Sequence, residues 1–386
     1  MIMTRAPALL ALFTLRVAAQ YFPYVEYSGT TFFEGWDFYG AIDNTTWGNV
    51  TYVDAADATA ESLAYVNAAG NAIIKVDNSS TVLSDGIQYR KSVRLTSQAH
   101  FEVGSLFVID ALHMPYGCSV WPSIWLNGIL EEGQVWPAAG EIDLIEAINL
   151  FDHNQMALHS YTGCVQPANV TQIGKALIHN CNDTSSSGCT VAESKPNSYG
   201  PGFNAANGGA FGLQFDVAGI FMWFWPRLEI PASITHATST STMNISDWGI
   251  PSAAYPAAGC NITEFFPAQE LVVDITLCGL WAGFPSIYAQ DCPGTCFTSN
   301  IAGNGSNYAS AYFEIPAIRT YTLSNLSIGA APPQTTGQAS GSPTGTGTAA
   351  ADRTGAPSGA GASLLLGRGV LGVVVGLVGV VVLLLL

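Results

Sequence analysis

The sequence has few charged residues, and few of those are basic. Only 10% of the 386 residues are Asp, Glu, Lys or Arg, and 12 basic residues stand against 28 acidic ones, which gives a formal net charge of −16. This balance argues against a nucleic-acid partner, because phosphate backbones are bound through Lys and Arg. Helical periodicity is scarce and no internal repeat is found, which argues against helical bundles and repeat arrays. The composition suits an exported β protein with a neutral partner.

The eight cysteines lack the spacing of a zinc site. No two of them form a C-x-x-C pair, and Cys292 and Cys296 have no matching partner pair elsewhere. An even number of cysteines in an exported chain predicts disulfides, with a pairing that the sequence leaves open. Sequons for N-glycosylation agree with export and are expected in surface loops. They start at Asn44, Asn49, Asn78, Asn169, Asn182, Asn244, Asn261, Asn304 and Asn325.

The amino terminus has the pattern of a signal peptide over residues 1–19. Arg5 precedes an apolar run over residues 6–15, and the small residues Ala18 and Ala19 form a cleavage site. A membrane anchor is the alternative reading, but the apolar run is too short for one. The next 309 residues, 20–328, are long enough for one large all-β domain.

The carboxyl terminus has the pattern of a lipid anchor. Residues 329–360 are rich in Ser, Thr, Gly and Pro and have too little apolar surface to fold. They are followed by an apolar tail within residues 361–386, with the small residues Ser358, Gly359 and Ala360 just upstream. This predicts a linker and a GPI-anchor propeptide, and hence a protein held at the outer face of the plasma membrane or in the cell wall. A transmembrane span is the alternative, but no cytoplasmic residue would follow it.

Short β-rich runs recur along the predicted domain, with turn residues between them. This spacing predicts an all-β sandwich or barrel. The runs cover residues 71–76, 88–95, 105–109, 141–147, 211–215, 219–225, 271–277 and 311–315.

One of these strands carries three acids within six residues, Glu141, Asp143 and Glu146. Side chains alternate on a strand, so Glu141 and Asp143 share a face, whereas the odd offset places Glu146 on the other. A β-bulge at Leu144 and Ile145 would return Glu146 to the shared face. Two Glu carboxyls there could approach to about 5–5.5 Å, the spacing of a retaining glycosidase. The alternatives are a solvated acidic strand and a cation site, but the residues between the acids are aliphatic and predict a buried underside.

Aromatic residues and a histidine flank the acidic strand. Trp121 and Trp125 are four residues apart and would share one strand face, and Trp136 follows closely. A Trp ring beside paired acids suits stacking on a sugar, although a single Trp is more often part of a core. His159 follows the acidic strand and could hydrogen-bond a sugar hydroxyl or the nucleophile, or could be structural.

The acidic strand resembles the E-x-D-x-x-E signature of glycoside hydrolase family 16, and in particular its fungal endo-1,3(4)-β-glucanases of the laminarinase or mixed-linkage type. Further segments match in order, and together they cover most of the predicted domain. These are residues 31–38, 90–94, 113–118, 121–125, 158–164, 221–226, 278–283 and 311–315. One departure is Leu280, where such relatives carry Asp; it concerns substrate detail and leaves the acids untouched.

The resemblance implies a concanavalin A-like β-jelly-roll sandwich with a concave substrate cleft. It assigns Glu141 as the nucleophile, Glu146 as the general acid/base, and Asp143 as the acid that assists between them. The like charges of Glu141 and Asp143 nearby should raise the pKa of Glu146. The expected substrate-binding residues are Trp121, Trp125, His159, Arg90 and Trp281.

The implied activity is retaining endo-hydrolysis of β-1,3 and mixed-linkage glucans by a monomer. No cofactor or metal is expected, and a structural calcium ion is not readable from the sequence. The alternatives are a cell-wall β-glucan transglycosylase and an inactive glucan-binding surface protein.

Overall fold

Short strands and turns make up most of the backbone, as the sequence predicts. The computed structural model describes residues 20–182 and 187–323, all of which belong to one compact unit. The predicted signal peptide, linker and anchor lie outside these residues. In the described ranges the strands are β1 (Gln20–Ser28), β2 (Trp36–Phe38), β3 (Val50–Tyr52), β4 (Ala64–Val66), β5 (Ala72–Lys75), β6 (Arg90–Ser92), β7 (Arg94–Phe101), β8 (Ser105–Ala111), β9 (Val120–Gly128), β10 (Glu141–Glu146), β11 (Gln155–His159), β12 (Lys175–Ala176), β13 (Cys189–Ala192), β14 (Gly209–Asp216), β15 (Gly219–Pro226), β16 (Met243–Asn244), β17 (Ala253–Pro256), β18 (Gln269–Leu277), β19 (Tyr312–Ile315) and β20 (Ala317–Leu323).

The helices in the same ranges are short. They are α1 (Ala55–Ala60), α2 (Gly200–Ala205), α3 (Ala232–Thr235), α4 (Ile262–Phe265), α5 (Gly279–Ala282) and α6 (Pro285–Asp291). No helix in this part of the chain is long and apolar enough to cross a membrane.

Two large antiparallel sheets form the sandwich. The front sheet has eight strands in the order β12-β13-β11-β10-β9-β18-β7-β2, and the back sheet has seven in the order β16-β1-β20-β8-β14-β15-β17. A three-stranded sheet (β19-β5-β4) and a parallel pair (β3-β6) complete the fold. This arrangement confirms the predicted all-β, jelly-roll sandwich class.

The front sheet has one apolar and one polar face, because its strands alternate residue types. On β18, Leu271, Val273 and Ile275 are buried in the main core between the sheets. Glu270 and Asp274 lie at alternate positions and point to the opposite, open face, which we call the cleft face. This alternation buries one side of the sheet and leaves the other available for a polar ligand.

The back sheet is covered on both sides. On β8, Phe107 and Ile109 belong to the main core, whereas Leu106 and Val108 belong to a second cluster on the outer side. Three tryptophans dominate this second cluster, Trp223 and Trp225 of β15 and Trp248. The back sheet therefore supports the front one and presents no comparable open face.

All eight cysteines are paired, as predicted. The bonds are Cys118–Cys292, Cys164–Cys260, Cys181–Cys189 and Cys278–Cys296. Cys118–Cys292 and Cys278–Cys296 both fix the segment that follows β18. The expectation that sequons lie in surface loops fails at Asn182, which is only 6% exposed and donates from Nδ2 to Thr162 Oγ1.

Candidate active site

The three acids of β10 share the cleft face because the strand contains a bulge. Asp143 pairs with Trp125 of β9, whereas Ile145 pairs with the adjacent Ile124, so Leu144 is an additional residue. The pairing with β11 shifts over the same interval. Leu144 and Ile145 are both buried in the main core, and Glu146 therefore returns to the face of Glu141 and Asp143. The predicted bulge is confirmed.

The side chain of Asn154 stabilises the bulge. Its Oδ1 accepts from the backbone N–H of Glu146 at 3.0 Å, and its Nδ2 donates to the carbonyl of Leu144 at 2.9 Å. Ser123 Oγ donates to the carbonyl of Ile145 at 3.2 Å. These bonds satisfy backbone groups for which the interrupted ladder has no regular partner. Sequence reasoning did not identify Asn154, because nothing in its spacing distinguishes it from a loop residue.

Glu141 lies half-buried between two aromatic rings. Trp136 Nε1 donates to Glu141 Oε2 at 2.9 Å, and His159 Nε2 lies 4.0 Å from Glu141 Oε1. The Trp136 and His159 rings are themselves neighbours, with centroids 5.8 Å apart. Trp136 was noted upstream of the acids but was not among the predicted cleft residues. With 46% of its surface exposed, its ring borders the acid from the solvent side.

Asp143 is the central and most buried acid, with 2% exposure. His159 Nε2 lies 3.2 Å from Asp143 Oδ2, within ion-pair distance. Ligand atoms of Glu141, Asp143 and His159 come within 4.8 Å of one another, which is close enough to share a cation. Two carboxylates and one imidazole do not fit calcium, which takes six to eight oxygen ligands. The arrangement suits orientation of Glu141 and Asp143 by the imidazole.

Glu146 has an environment different from that of Glu141. Trp121 Nε1 donates to Glu146 Oε1 at 2.9 Å. Burial raises the pKa of Glu146 well above its ordinary value, and the Asp143 carboxylate adds to this shift, while the Trp121 hydrogen bond opposes it. The predicted direction is confirmed, but burial contributes more than the neighbouring acids. Trp281 packs edge-on against Trp121 with centroids 5.5 Å apart, so it lies next to the site as expected.

A row of polar side chains continues across the cleft face from Glu141. Asn127 on β9, Glu270 on β18 and His100 on β7 follow it in successive registers. His100 Nε2 lies 3.5 Å from Glu270 Oε1. The row gives the open sheet a series of hydrogen-bonding groups beyond the acids. The strand alternation of β18 could have suggested Glu270, but no motif marks it.

Trp125 lies on the cleft face, on the same side as Trp121, as its spacing predicts. It is only 9% exposed, and its Nε1 donates to Asp274 at 3.1 Å. Arg94 lies over the Trp125 ring at 5.2 Å, and Tyr52 donates its hydroxyl to Asp274 at 3.0 Å. Burial raises the pKa of Asp274 to about 6, although the Arg94 charge opposes this shift. Trp125 is thus part of a polar floor below the cleft surface.

Arg90 is not a cleft residue, which corrects the prediction. Its side chain is fully buried, and its guanidinium donates to four backbone carbonyls. These carbonyls belong to Asp77, Ser80, Ile301 and Gly303. Arg90 also lies over the Tyr308 ring at 5.0 Å. It joins two loop segments and has no surface with which to contact a polysaccharide.

A family model and two relatives that match this chain are all described as glycosidases. A family model described as an XgeA-like, catalytic GH16 domain matches residues 36–321. A probable glycosidase of Schizosaccharomyces pombe is 36% identical over 77% of this chain and 68% of its own length. An endo-1,3(4)-β-glucanase of Emericella nidulans is 32% identical over 74% of this chain, which spans only 45% of that enzyme.

Solved structures with the same fold include two relatives of similar identity. Laminarinase 16A of Phanerochaete chrysosporium, with two β-glucans in donor and acceptor sites, is 35% identical at a TM-score of 0.73. The match covers 79% of this chain and all of that one. An elongating family 16 β-1,3-glucosyltransferase is also 35% identical, with a TM-score of 0.70, over 78% of this chain and all of its own.

Proposed function

The chain belongs to glycoside hydrolase family 16, and from this premise we propose that it is a retaining endo-glycosidase that hydrolyses β-1,3 and mixed β-1,3/1,4 glucans. The observation that carries the proposal is the bulged strand, which places Glu141, Asp143 and Glu146 on one open face. Two carboxyl groups in different environments on one face are what a double displacement needs.

The two glutamates take opposite roles because their surroundings differ. Glu141, bordered by Trp136 and His159, attacks the anomeric carbon and forms a glycosyl ester as the glycosidic bond breaks. Glu146, whose pKa is raised, gives its proton to the leaving oxygen. It then takes a proton from the water that hydrolyses the ester, and Glu141 leaves as a free carboxylate. Asp143 and His159 keep the nucleophile oriented between these steps.

A pair of glutamine variants tests this assignment. Glu141→Gln and Glu146→Gln should each lose most activity on laminarin, barley β-glucan and lichenan while unfolding as the wild type does. The matched control is Glu229→Gln, an exposed acid that follows β15 of the back sheet. Azide should rescue Glu141→Ala with an inverted glycosyl azide product and Glu146→Ala with a retained one. Wild-type rates in either glutamine variant would contradict the mechanism.

Transglycosylation is the second candidate, because a β-1,3-glucosyltransferase is as similar to this chain as the laminarinase is. In that reaction a sugar hydroxyl takes the place of water in the second step. Sizing the products distinguishes the two: hydrolysis gives only shorter oligosaccharides, whereas transfer also gives products longer than the substrate. A glucan-binding protein without activity would give neither.

We also propose that the enzyme acts as a monomer without a cofactor, on a GPI anchor at the outer face of the plasma membrane or in the wall. The support for the anchor is the sequence pattern of residues 358–386. Phosphatidylinositol-specific phospholipase C should release active enzyme from membranes. A peptide from residues 370–386 in the mature protein would instead indicate a membrane span.

A further inference from the structure

Trp47 and Leu280 have large apolar side chains that are open to solvent, and they lie on neighbouring backbone segments. Trp47 is 69% exposed and Leu280 is 63% exposed. Their backbones are joined, because the N–H of Leu280 donates to the carbonyl of Thr46 at 2.9 Å and Gly48 forms a bridge with Cys278.

The loop that carries Trp47 is hydrogen-bonded to the side chain of Asp43 and, through it, to β18. Trp47 has a φ of 57°, in the left-handed region that bulky residues rarely adopt. The carboxylate of Asp43 accepts from the backbone N–H groups of Thr46 and Gly48, each at 3.1 Å. It also accepts from Thr276 Oγ1 at 2.7 Å. The exposed indole is therefore carried on a strained, hydrogen-bonded backbone, an arrangement that is more common at functional sites than elsewhere.

The exposed pair is continuous with the candidate active site. Thr276, which fixes the Trp47 loop, pairs in register with Trp121, and Trp121 donates to Glu146. Trp281, the residue after Leu280, packs edge-on against Trp121. The two segments that carry the exposed pair therefore adjoin the end of β18 and the residues that surround the general acid.

We propose that Trp47 and Leu280 form a platform that binds glucosyl residues of the β-glucan beyond those at the reacting bond. The apolar faces of a β-linked glucose ring match an exposed indole and an aliphatic neighbour, and a neutral polysaccharide needs no charged partner. Asp at position 280 would reduce this apolar surface. The inference rests on the proposed function, since it assigns the ligand of the same cleft.

The test compares a long with a short substrate. Trp47→Ala and Leu280→Asp should each lower kcat/KM on laminariheptaose about five- to tenfold. This is the effect expected when the substrate no longer buries part of one large apolar side chain. On laminaritetraose the change should stay below about twofold, because the short chain reacts without reaching the platform. The control is Tyr65→Ala, an aromatic residue with 41% exposure on the three-stranded sheet, for which neither value should change.

Three outcomes would overturn the platform. These are unchanged kinetics on both substrates, an equal loss on both, and disappearance of the Trp47→Ala effect in an Asn44→Gln background. The last result would mean that Trp47 acts through a glycan on the exposed Asn44 of the same loop and does not itself bind the substrate. Binding of laminariheptaose to Glu141→Gln, with and without Trp47→Ala, separates this inference from the proposed function. Weaker binding in the double variant supports the platform even if the wild type lacks hydrolytic activity.

Discussion

Replacement of Asn154 should disturb the bulge in β10, because this one side chain satisfies two backbone groups there. In Asn154→Ala, the N–H of Glu146 and the carbonyl of Leu144 both lose their partner. Asn154 itself is fully buried, so water cannot replace it without opening the site. We therefore expect the bulge to relax and Glu146 to move relative to Glu141.

The expected magnitudes follow from these two hydrogen bonds. An unsatisfied buried polar group costs about 1–3 kcal/mol, so the pair should lower the free energy of unfolding by about 3 kcal/mol. With an unfolding entropy of about 2.1 cal/mol/K per residue over the described residues 20–182 and 187–323, that corresponds to a fall in Tm of roughly 5 °C. A displacement of Glu146 by about 1 Å should lower kcat/KM about 100-fold.

Asn204 offers a matched control. Its Oδ1 accepts from the N–H of Met114 at 2.8 Å and its Nδ2 donates to the Met114 carbonyl at 3.2 Å, the same pair of bonds at a segment that follows β8 of the back sheet. Urea unfolding and kcat/KM on laminarin should be measured for both Ala variants at a temperature where each is folded. Asn204→Ala should lose stability but keep its kcat/KM. If Asn154→Ala also kept a wild-type kcat/KM, the bulge would not depend on Asn154 to position the acid.

Three further predictions concern charged side chains, two in or below the cleft and one buried between loop segments. Asp143→Asn should lower the pKa of Glu146 by removing a like charge. The alkaline limb of the profile of kcat/KM against pH should therefore move to lower pH. An unmoved limb would contradict the assignment of Glu146 as the acid. Burial holds the pKa of Asp274 at about 6, against 3.8 in the unfolded chain. Its protonated form therefore favours folding most below about pH 4, and this contribution is lost as the pH rises to about 6. Relative to Asp274→Asn, the wild type should therefore lose about 3 kcal/mol of unfolding free energy over this interval, measured by urea titration at each pH, and parallel curves would refute the linkage. Arg90→Met should lower the unfolding free energy by about 3–5 kcal/mol, because four carbonyls and the nearby Asp77 carboxylate lose their cationic partner. The kcat/KM of the folded fraction should stay unchanged. A raised KM at full stability would instead indicate that Arg90 contacts the substrate.

The geometry of the acidic strand could be predicted because it depends on local periodicity. An odd offset between Glu141 and Glu146, with three aliphatic residues in the interval, allows both acids on one face only if the strand contains an extra residue. The resulting bulge lies where it was expected. Trp121 and Trp125 were placed on one face by the same rule.

Contacts between distant segments could not be predicted in this way. Asn154 acts through a loop that folds back onto the strand, and no periodicity indicates its direction. The arginine that lies below the cleft is Arg94, over the Trp125 ring, and not Arg90. Val93 interrupts the run between β6 and β7, so the two arginines enter different sheets. Residue type and strand propensity are the same for both, and only the tertiary pairing separates them.

The bulge in β10 also limits how the length of this strand can change during evolution. Loss of Leu144 alone would give a regular strand in which Glu141, Asp143 and Glu146 still share one face, with Ile142 and Ile145 on the other. Loss of two residues would turn Glu146 into the hydrophobic core. A single-codon deletion therefore preserves the order and the orientation of the acids, and a neighbouring active-site geometry is accessible to this fold in one genetic step.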